Sequence, residues 1–285
     1  MSKYRLNWDE ERVQKYIKKG RGQGEGRKYK PWLTVRDVPS RGRSTRAFGW
    51  KTRRVHHMLS DHETRYFYLS EWSNNVIDIR EQYPILDRDE TMKIAKDLKF
   101  RYPHYIGSKT PLVLTTDFVL TLIEDGHKKI IARTIKPIKE LKKQRVRELF
   151  KIEEKYWAEQ GIDWGIVTDL DIPKVLARNI EELHSAAKLE NIEGCSIDEL
   201  MFMREPLLDR LLSFPNMQIR KILNKTDLET NKLPGTALYL FWHLLATKRM
   251  TMELNKPFDI RKPASILDKG VNFEGRGLYN YELLG

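Results

Sequence analysis

The stretch Asp117-Phe118-Val119-Leu120-Thr121-Leu122-Ile123-Glu124-Asp125-Gly126-His127-Lys128-Lys129-Ile130-Ile131-Ala132-Arg133-Thr134-Ile135-Lys136 carries a fold in its middle. Asp-Gly at 125 and 126 stands between two β-branched runs, and both residues tolerate the positive φ of a two-residue hairpin turn. The turn sets a register. Glu124 faces His127, and counting outward puts Asp117 opposite Thr134, with Lys136 two residues further on. Paired residues share a face, so alternation sends Asp117, Thr134 and Lys136 to one side. Leu114, Phe118, Leu120, Leu122, Ile131 and Ile135 go to the other. A carboxylate and an ammonium projecting together from a sheet suit a divalent cation on a phosphate with an ammonium beside an attacking water, the chemistry of a metal-dependent nuclease. A solvated Asp and Lys on the outer face of an antiparallel hairpin is the plain alternative.

Composition points the same way. The 285 residues carry 52 Lys and Arg against 40 Asp and Glu, a formal charge of +12 and a pI of about 9.5, which favours a polyanionic partner. Residues 1–57 hold 17 basic and 5 acidic side chains, the whole of the net charge. The excess is therefore one basic segment rather than a diffuse surplus. Membrane surface is the competitor to nucleic acid, but no apolar run has transmembrane length and the first residues lack a signal-peptide apolar core. A soluble, cytoplasmic protein is expected. One cysteine, Cys195, excludes an internal disulfide framework and a cysteine-rich zinc site.

Along the chain, helical and strand patterns alternate up to a division at residues 170–195. An amphipathic stretch spans Trp8 to Lys19, a glycine-rich break follows, and Trp32 to Val38 reads as extended. A helix is expected from Ser60 to about Ser73, a strand at Val76-Ile77-Asp78-Ile79, a helical patch from Asp87 to Lys99, and a long helix from Pro137 to about Gln160. A buried strand is expected at Trp164-Gly165-Ile166-Val167-Thr168. The fold class is mixed α/β. Beyond the division the pattern is mostly helical, with helices at Ser196–Leu212, Met217–Asn224 and Gly235–Thr247 and an alternating strand through Met250, Met252 and Leu254. Three helices and a β-wing resemble a winged-helix module. The expected domains are 1–57, a basic DNA-binding segment continuous with the next; 58–175, the catalytic domain; and 176–285, the helical domain.

Glycines 20, 22, 24 and 26 do not form a nucleotide loop, since a helix precedes them and extended chain follows. Two readings remain: a flexible basic segment tracking a DNA backbone, or a solvated linker. Phosphate contacts are expected from Lys18, Lys19, Arg21, Arg27, Lys28, Arg41, Arg43, Arg53, Arg54, His56 and His57. The two adjacent histidines point different ways on any regular element and have no third ligand at suitable spacing, so no zinc site is expected. Ser60-Asp61-His62-Glu63 is a capping box, in which Glu63 folds back on the Ser60 N–H. Yet Glu63 shares the stripe of Leu59, Tyr66 and Phe67 that should pack on the sheet, where a cation shared with Asp117 would satisfy it. Both readings stay open. Glu153, beside the stripe of Leu149, Ile152 and Tyr156, is either an exposed helix glutamate or a carboxylate that orients Lys136 or a metal-bound water.

Gly20-Arg21-Gly22-Gln23-Gly24, Pro31-Trp32-Leu33-Thr34-Val35, Gly42-Arg43-Ser44, Arg54-Val55-His56-His57-Met58-Leu59-Ser60-Asp61, Asp78-Ile79-Arg80-Glu81-Gln82-Tyr83-Pro84, Thr116-Asp117-Phe118 and Lys136-Pro137 together resemble the TnsA family, the endonuclease subunits of heteromeric DNA transposases. Their order and spacing match over about residues 15–170. The resemblance implies a restriction-endonuclease-like nuclease domain, catalytic carboxylates at Glu63 and Asp117, a catalytic lysine at Lys136 and a further active-site acid at Glu153. It implies Mg²⁺, with Mn²⁺ able to substitute. One position departs from the pattern: two residues before the lysine an acid is usual in the wider superfamily and Gln is expected in these relatives, where this chain has Thr134. The Thr134 hydroxyl or the Ile135 carbonyl would then complete the metal shell. The implied role is hydrolysis of the 5′ strand at transposon ends, with a TnsB-like transposase cutting the 3′ ends, a TnsC-like AAA+ regulator, and double-stranded DNA as partners. A stand-alone restriction or repair nuclease and a non-catalytic DNA-binding adaptor are the two other readings.

Overall fold

The computed structural model describes residues 8–38 and 43–270, and the chain divides into two compact units, Met1–Ile172 and Pro173–Gly285. In the first unit, helices α1 (Glu10–Lys18), α2 (Asp61–Trp72), α3 (Arg88–Asp97) and α4 (Gln144–Glu159) surround strands β1 (Thr45–Gly49), β2 (Arg54–Met58), β3 (Val76–Ile85), β4 (Leu114–Glu124), β5 (His127–Ile135) and β6 (Asp163–Val167). β1 and β2 form their own hairpin. The other four make a mixed sheet in the order β3-β4-β5-β6, antiparallel except for the β5–β6 pair. The parallel pair needs a crossover, and α4 supplies it.

The Asp125-Gly126 turn sets the expected register. Glu124 pairs with His127 and the ladder runs to Phe118 opposite Arg133, with Asp125 and Gly126 both at positive φ. The alternative of a solvated outer face is overturned, because helices cover both, and Leu114, expected to share the face of Phe118, packs instead with Val119 and Ala132. Tyr66 of α2 lies 5.3 Å from Phe118, while Val119 and Ala132 on the opposite face pack with Ile152 and Trp157 of α4 and Ile94 of α3. Burial on two sides explains why the β4 and β5 residues facing α4 are small or apolar.

Two further expectations change. β3 runs on to Ile85, past the four residues read from pattern, because its charged members Asp78, Arg80 and Glu81 are buried and partnered. Trp32–Val38 is not extended. The Asp37 carboxylate accepts from the Thr34 N–H at 2.9 Å and from its hydroxyl at 2.6 Å, closing a turn, and Trp32 and Leu33 join Trp8, Val13, Tyr16, Leu59 and Tyr105 in a core cluster. The glycine-rich stretch is neither a linker nor loose. Gly22 donates to the Lys30 carbonyl at 2.6 Å, and at φ +75° it lies so close to Pro84 of β3 that a Cβ would come within 2.1 Å of the proline ring.

Among the described residues the second unit holds four α-helices rather than three: α5 (Lys174–His184), α6 (Ile197–Ser213), α7 (Ile219–Glu229) and α8 (Thr236–Ala246). Asp227 of α7 holds the start of α8, accepting from the Gly235 N–H at 2.8 Å and the Ala237 N–H at 2.7 Å. The alternation through Met252 and Leu254 does not become a strand. Asn179 of α5 donates to the Leu254 and Lys256 carbonyls, so β7 is only Met250–Thr251, paired with β8 (Asp268–Lys269). Among the described residues no helix is long and apolar enough to cross a membrane.

Candidate active site

The six candidate residues arrive from four elements. Asp117 comes from β4, Thr134, Ile135 and Lys136 from the end of β5, Glu63 from the first turn of α2 and Glu153 from α4. All six line one cavity of about 110 Å³, together with Gln82 of β3, room for several waters.

Glu63 serves the helix and the cavity at once. Ser60 caps α2, its side chain accepting from the Glu63 N–H at 3.3 Å, and its hydroxyl donates to Glu63 Oε1 at 2.7 Å. The Leu59 N–H and the Gln82 amide donate to Glu63 Oε2 at 2.8 and 3.2 Å. The expected bond from the Ser60 N–H is replaced by these, and the carboxylate is carried inward, 3% exposed. Asp117 reaches across the ladder and accepts from the Ile135 N–H at 2.7 Å. In an extended strand a residue's N–H and C=O leave toward the same neighbour, so the Ile135 carbonyl also looks to the Asp117 side. The Lys136 N–H donates to the Val167 carbonyl at 2.9 Å, fixing the strand end, and its ammonium lies 5.8 Å from the centre of the Phe150 ring.

Glu153 is buried, not exposed. Its Oε1 accepts from the hydroxyls of Thr116 at 2.7 Å and Thr134 at 2.5 Å and from the Trp164 indole at 3.0 Å. Burial pushes its carboxyl up to about 7 against the pull of those donors, and the charge of Asp117 adds to the rise. The Thr134 hydroxyl, expected as a metal donor, gives its hydrogen to Glu153 and keeps its oxygen lone pairs. A threonine in place of an acid is matched by an acid arriving from the next helix.

Among the described residues no group of three His, Cys, Asp or Glu side chains lies close enough to hold a metal unaided. Two carboxylates, a backbone carbonyl and water make an all-oxygen donor set, which suits Mg²⁺, an ion that takes one or two carboxylates and keeps the rest of its shell for water and substrate phosphate. The residues present fit such an ion.

The basic positions separate into two groups. Lys18, Lys19, Arg27, Lys28, Arg43 and Arg53 are exposed; Arg41 lies outside the described residues. Arg21, Arg54 and His56 are built into the fold. Arg21 donates to the Asp37 carboxylate and to the Trp32 carbonyl, both at 2.7 Å, and stacks over Tyr16. Arg54 binds both oxygens of Glu81, and His56 bridges Glu81 and Thr52 at 2.8 and 2.6 Å. Burial works to raise the Glu81 carboxyl, but His56 and Arg54 outweigh it and hold it well below the usual carboxylate range. His57 is half-buried, which lowers its pKa, and its N–H donates to Glu81 at 3.1 Å.

Comparison with known proteins adds an independent line. Residues 73–169 match the family described as TnsA-like endonuclease N terminal, and residues 171–254 match TnsA endonuclease C terminal. The chain is 36% identical over 275 residues, 96% of its length and 97% of the relative's, to the Transposon Tn7 transposition protein TnsA of Escherichia coli. The chain belongs to the TnsA endonuclease family. The two matches meet near residue 170, close to the division between the compact units. As a TnsA endonuclease the chain is a DNA-cutting component of transposition, and a divalent metal is in keeping with that family. Gln82 is a polar residue of the cavity that was not among the expected site residues. Its signal was the polar run Arg80-Glu81-Gln82 inside a strand, too polar for its position unless a site is nearby.

Proposed function

We propose that the first unit is a Mg²⁺-dependent, restriction-endonuclease-like nuclease that hydrolyses the 5′ strand at each transposon end. The observation that carries the reading is the convergence of Glu63, Asp117, Lys136 and Glu153 from four elements on one cavity. Glu63 and Asp117, with the Thr134 hydroxyl oxygen or the Ile135 carbonyl, would hold the ion. When bound, Mg²⁺ polarises the scissile phosphate and makes a water more acidic. Lys136 orients that water and offsets charge growing on the phosphate. Glu153, titrating near neutrality behind Thr134, holds the end of β5 in place and is able to exchange a proton with water in the cavity. Mn²⁺ would substitute.

DNA is held by phosphate contacts from exposed Lys18, Lys19, Arg27, Lys28, Arg43 and Arg53, which confer little sequence preference. Sequence choice is left to a TnsB-like transposase and a TnsC-like AAA+ regulator, with the winged-helix-like C-terminal unit as a docking surface. The test is strand-resolved mapping of cuts on a plasmid carrying the transposon ends, with cognate partners and Mg²⁺. In Asp117→Ala the 5′-end cuts should vanish while 3′-end nicks persist. Undiminished 5′ cutting would move the active site elsewhere.

A further inference from the structure

Gln82 stands where β3 breaks its own ladder. Glu81 pairs with Phe118 and Tyr83 with Thr116, but the position between them, facing Asp117, is skipped. There Gln82 adopts φ +48°, a left-handed conformation that residues other than glycine avoid, above all inside a strand. Such backbone persists only where the surroundings over-determine it, and it gathers at functional sites.

The surroundings here are specific. The Trp32 N–H donates to the Gln82 carbonyl at 3.1 Å. On one side the Tyr29 hydroxyl donates to the Glu81 carbonyl at 3.1 Å, and the Glu81 side chain is locked by Arg54 and His56. On the other side Gly22 presses on Pro84. The kink turns the Gln82 side chain into the cavity, 2% exposed, where its amide donates to Glu63 Oε2. A carboxylate only accepts, so it is the NH₂ end that faces Glu63.

We infer that Gln82 is a positioning residue that sets the plane of the Glu63 carboxylate for the metal, its strained backbone being held by the N-terminal loop of residues 20–32. The inference rests on the proposed metal role of Glu63. It also gives the glycine-rich loop a task beyond DNA contact: residues that would touch phosphate, Arg27 and Lys28, lie between the two segments, Gly22 and Tyr29–Trp32, that hold β3 at Gln82. Partners that orient a metal ligand typically change metal affinity about 10- to 100-fold when removed.

Two variants of the full chain test this. Gln82→Gly suits the left-handed backbone and removes the amide; Gln82→Met keeps about the same size and removes the donor without adding a charge. Mn²⁺ binding is titrated by calorimetry, with Glu63→Gln as reference, and end cleavage in the complete transposition complex is followed against Mg²⁺ concentration. The expected result is a Kd for Mn²⁺ raised about tenfold in both Gln82 variants, with cleavage by Gln82→Gly restored toward the wild-type rate at high Mg²⁺. A purely structural role would not be rescued by metal. Wild-type Mn²⁺ affinity in a folded Gln82 variant, with affinity lost in Glu63→Gln, overturns the inference alone. Wild-type affinity in Glu63→Gln overturns the metal role of Glu63 and the inference with it. If Gln82→Gly fails to fold, Gln82→Met decides by the same criterion.

Discussion

Replacing Glu153 by Gln tests the electrostatics of the cavity without changing its shape. Glu153 Oε1 accepts from two hydroxyls and an indole, and a glutamine carbonyl oxygen accepts from the same three. The carboxyl titrates near 7 in the folded protein against 4.5 ordinarily, so the fold binds its proton more tightly than the unfolded chain does. The stabilisation is full below pH 4.5 and is lost as pH rises through 7. Between pH 5 and 8 this amounts to about 2–3 kcal/mol of lost stability. Glutamine does not titrate, so Glu153→Gln should lose that much less over the same range and, at pH 8, melt roughly 5–10 °C above wild type. The assay is urea unfolding and thermal melting at half-unit pH steps in chelator, since a bound cation would favour the carboxylate. Tryptophan fluorescence is the right probe: Trp8, Trp32, Trp50, Trp72, Trp157 and Trp164 all lie in the first unit. Parallel stability profiles for the two proteins would mean instead that Glu153 is ionised in the fold at neutral pH.

Gly22→Ala should destabilise the first unit by about 2–4 kcal/mol, because its Cβ would collide with Pro84 at a positive φ. Gly26→Ala, with nothing near its Cβ, should cost only about 1–2 kcal/mol; equal effects by urea unfolding would show that Gly22 does not pack on β3. Arg54→Met should lose about 3–5 kcal/mol by leaving Glu81 buried without its main cation, whereas exposed Arg53→Ala should stay within about 0.5 kcal/mol. Finding instead that Arg54→Met is stable and defective only in DNA affinity would return Arg54 to the DNA surface. Paired Arg27→Ala and Lys28→Ala substitutions should reduce the slope of log affinity against log salt by about 2, read by fluorescence anisotropy on end DNA. An unchanged slope would take this loop out of the DNA path.

Some of this molecule is local and was therefore legible. The Asp125-Gly126 turn forces the β4–β5 register as far as Phe118 opposite Arg133, and Asp117, one residue on, meets the end of β5 at the Ile135 N–H. Ser60 starts α2 because its side chain caps a backbone N–H three residues on. The helical spacing of Leu59, Glu63, Tyr66 and Phe67 set Glu63 beside the sheet without saying which way its carboxylate would turn. Composition located the basic excess in residues 1–57, a property that no folding event alters.

The rest depended on contacts between residues far apart in the chain. Arg54 and Arg53 are neighbours of identical chemistry, yet one is locked on Glu81, 27 residues away, and the other is exposed. Burial of a charge is decided by whichever partner the fold delivers, and periodicity carries no trace of it. Glu153 reads as one glutamate in a charged helix, and only the crossover of α4 over the sheet puts it on Thr134 and Thr116 and takes it out of water. Gln82 became a cavity residue through a left-handed kink that Trp32, Tyr29 and Gly22 impose from fifty or more residues upstream. Turn chemistry, capping and charge content act over a few residues and are fixed by the sequence itself. Desolvation, the pairing of buried charges and backbone strain are sums over the whole packed unit, so the tertiary structure alone decides them.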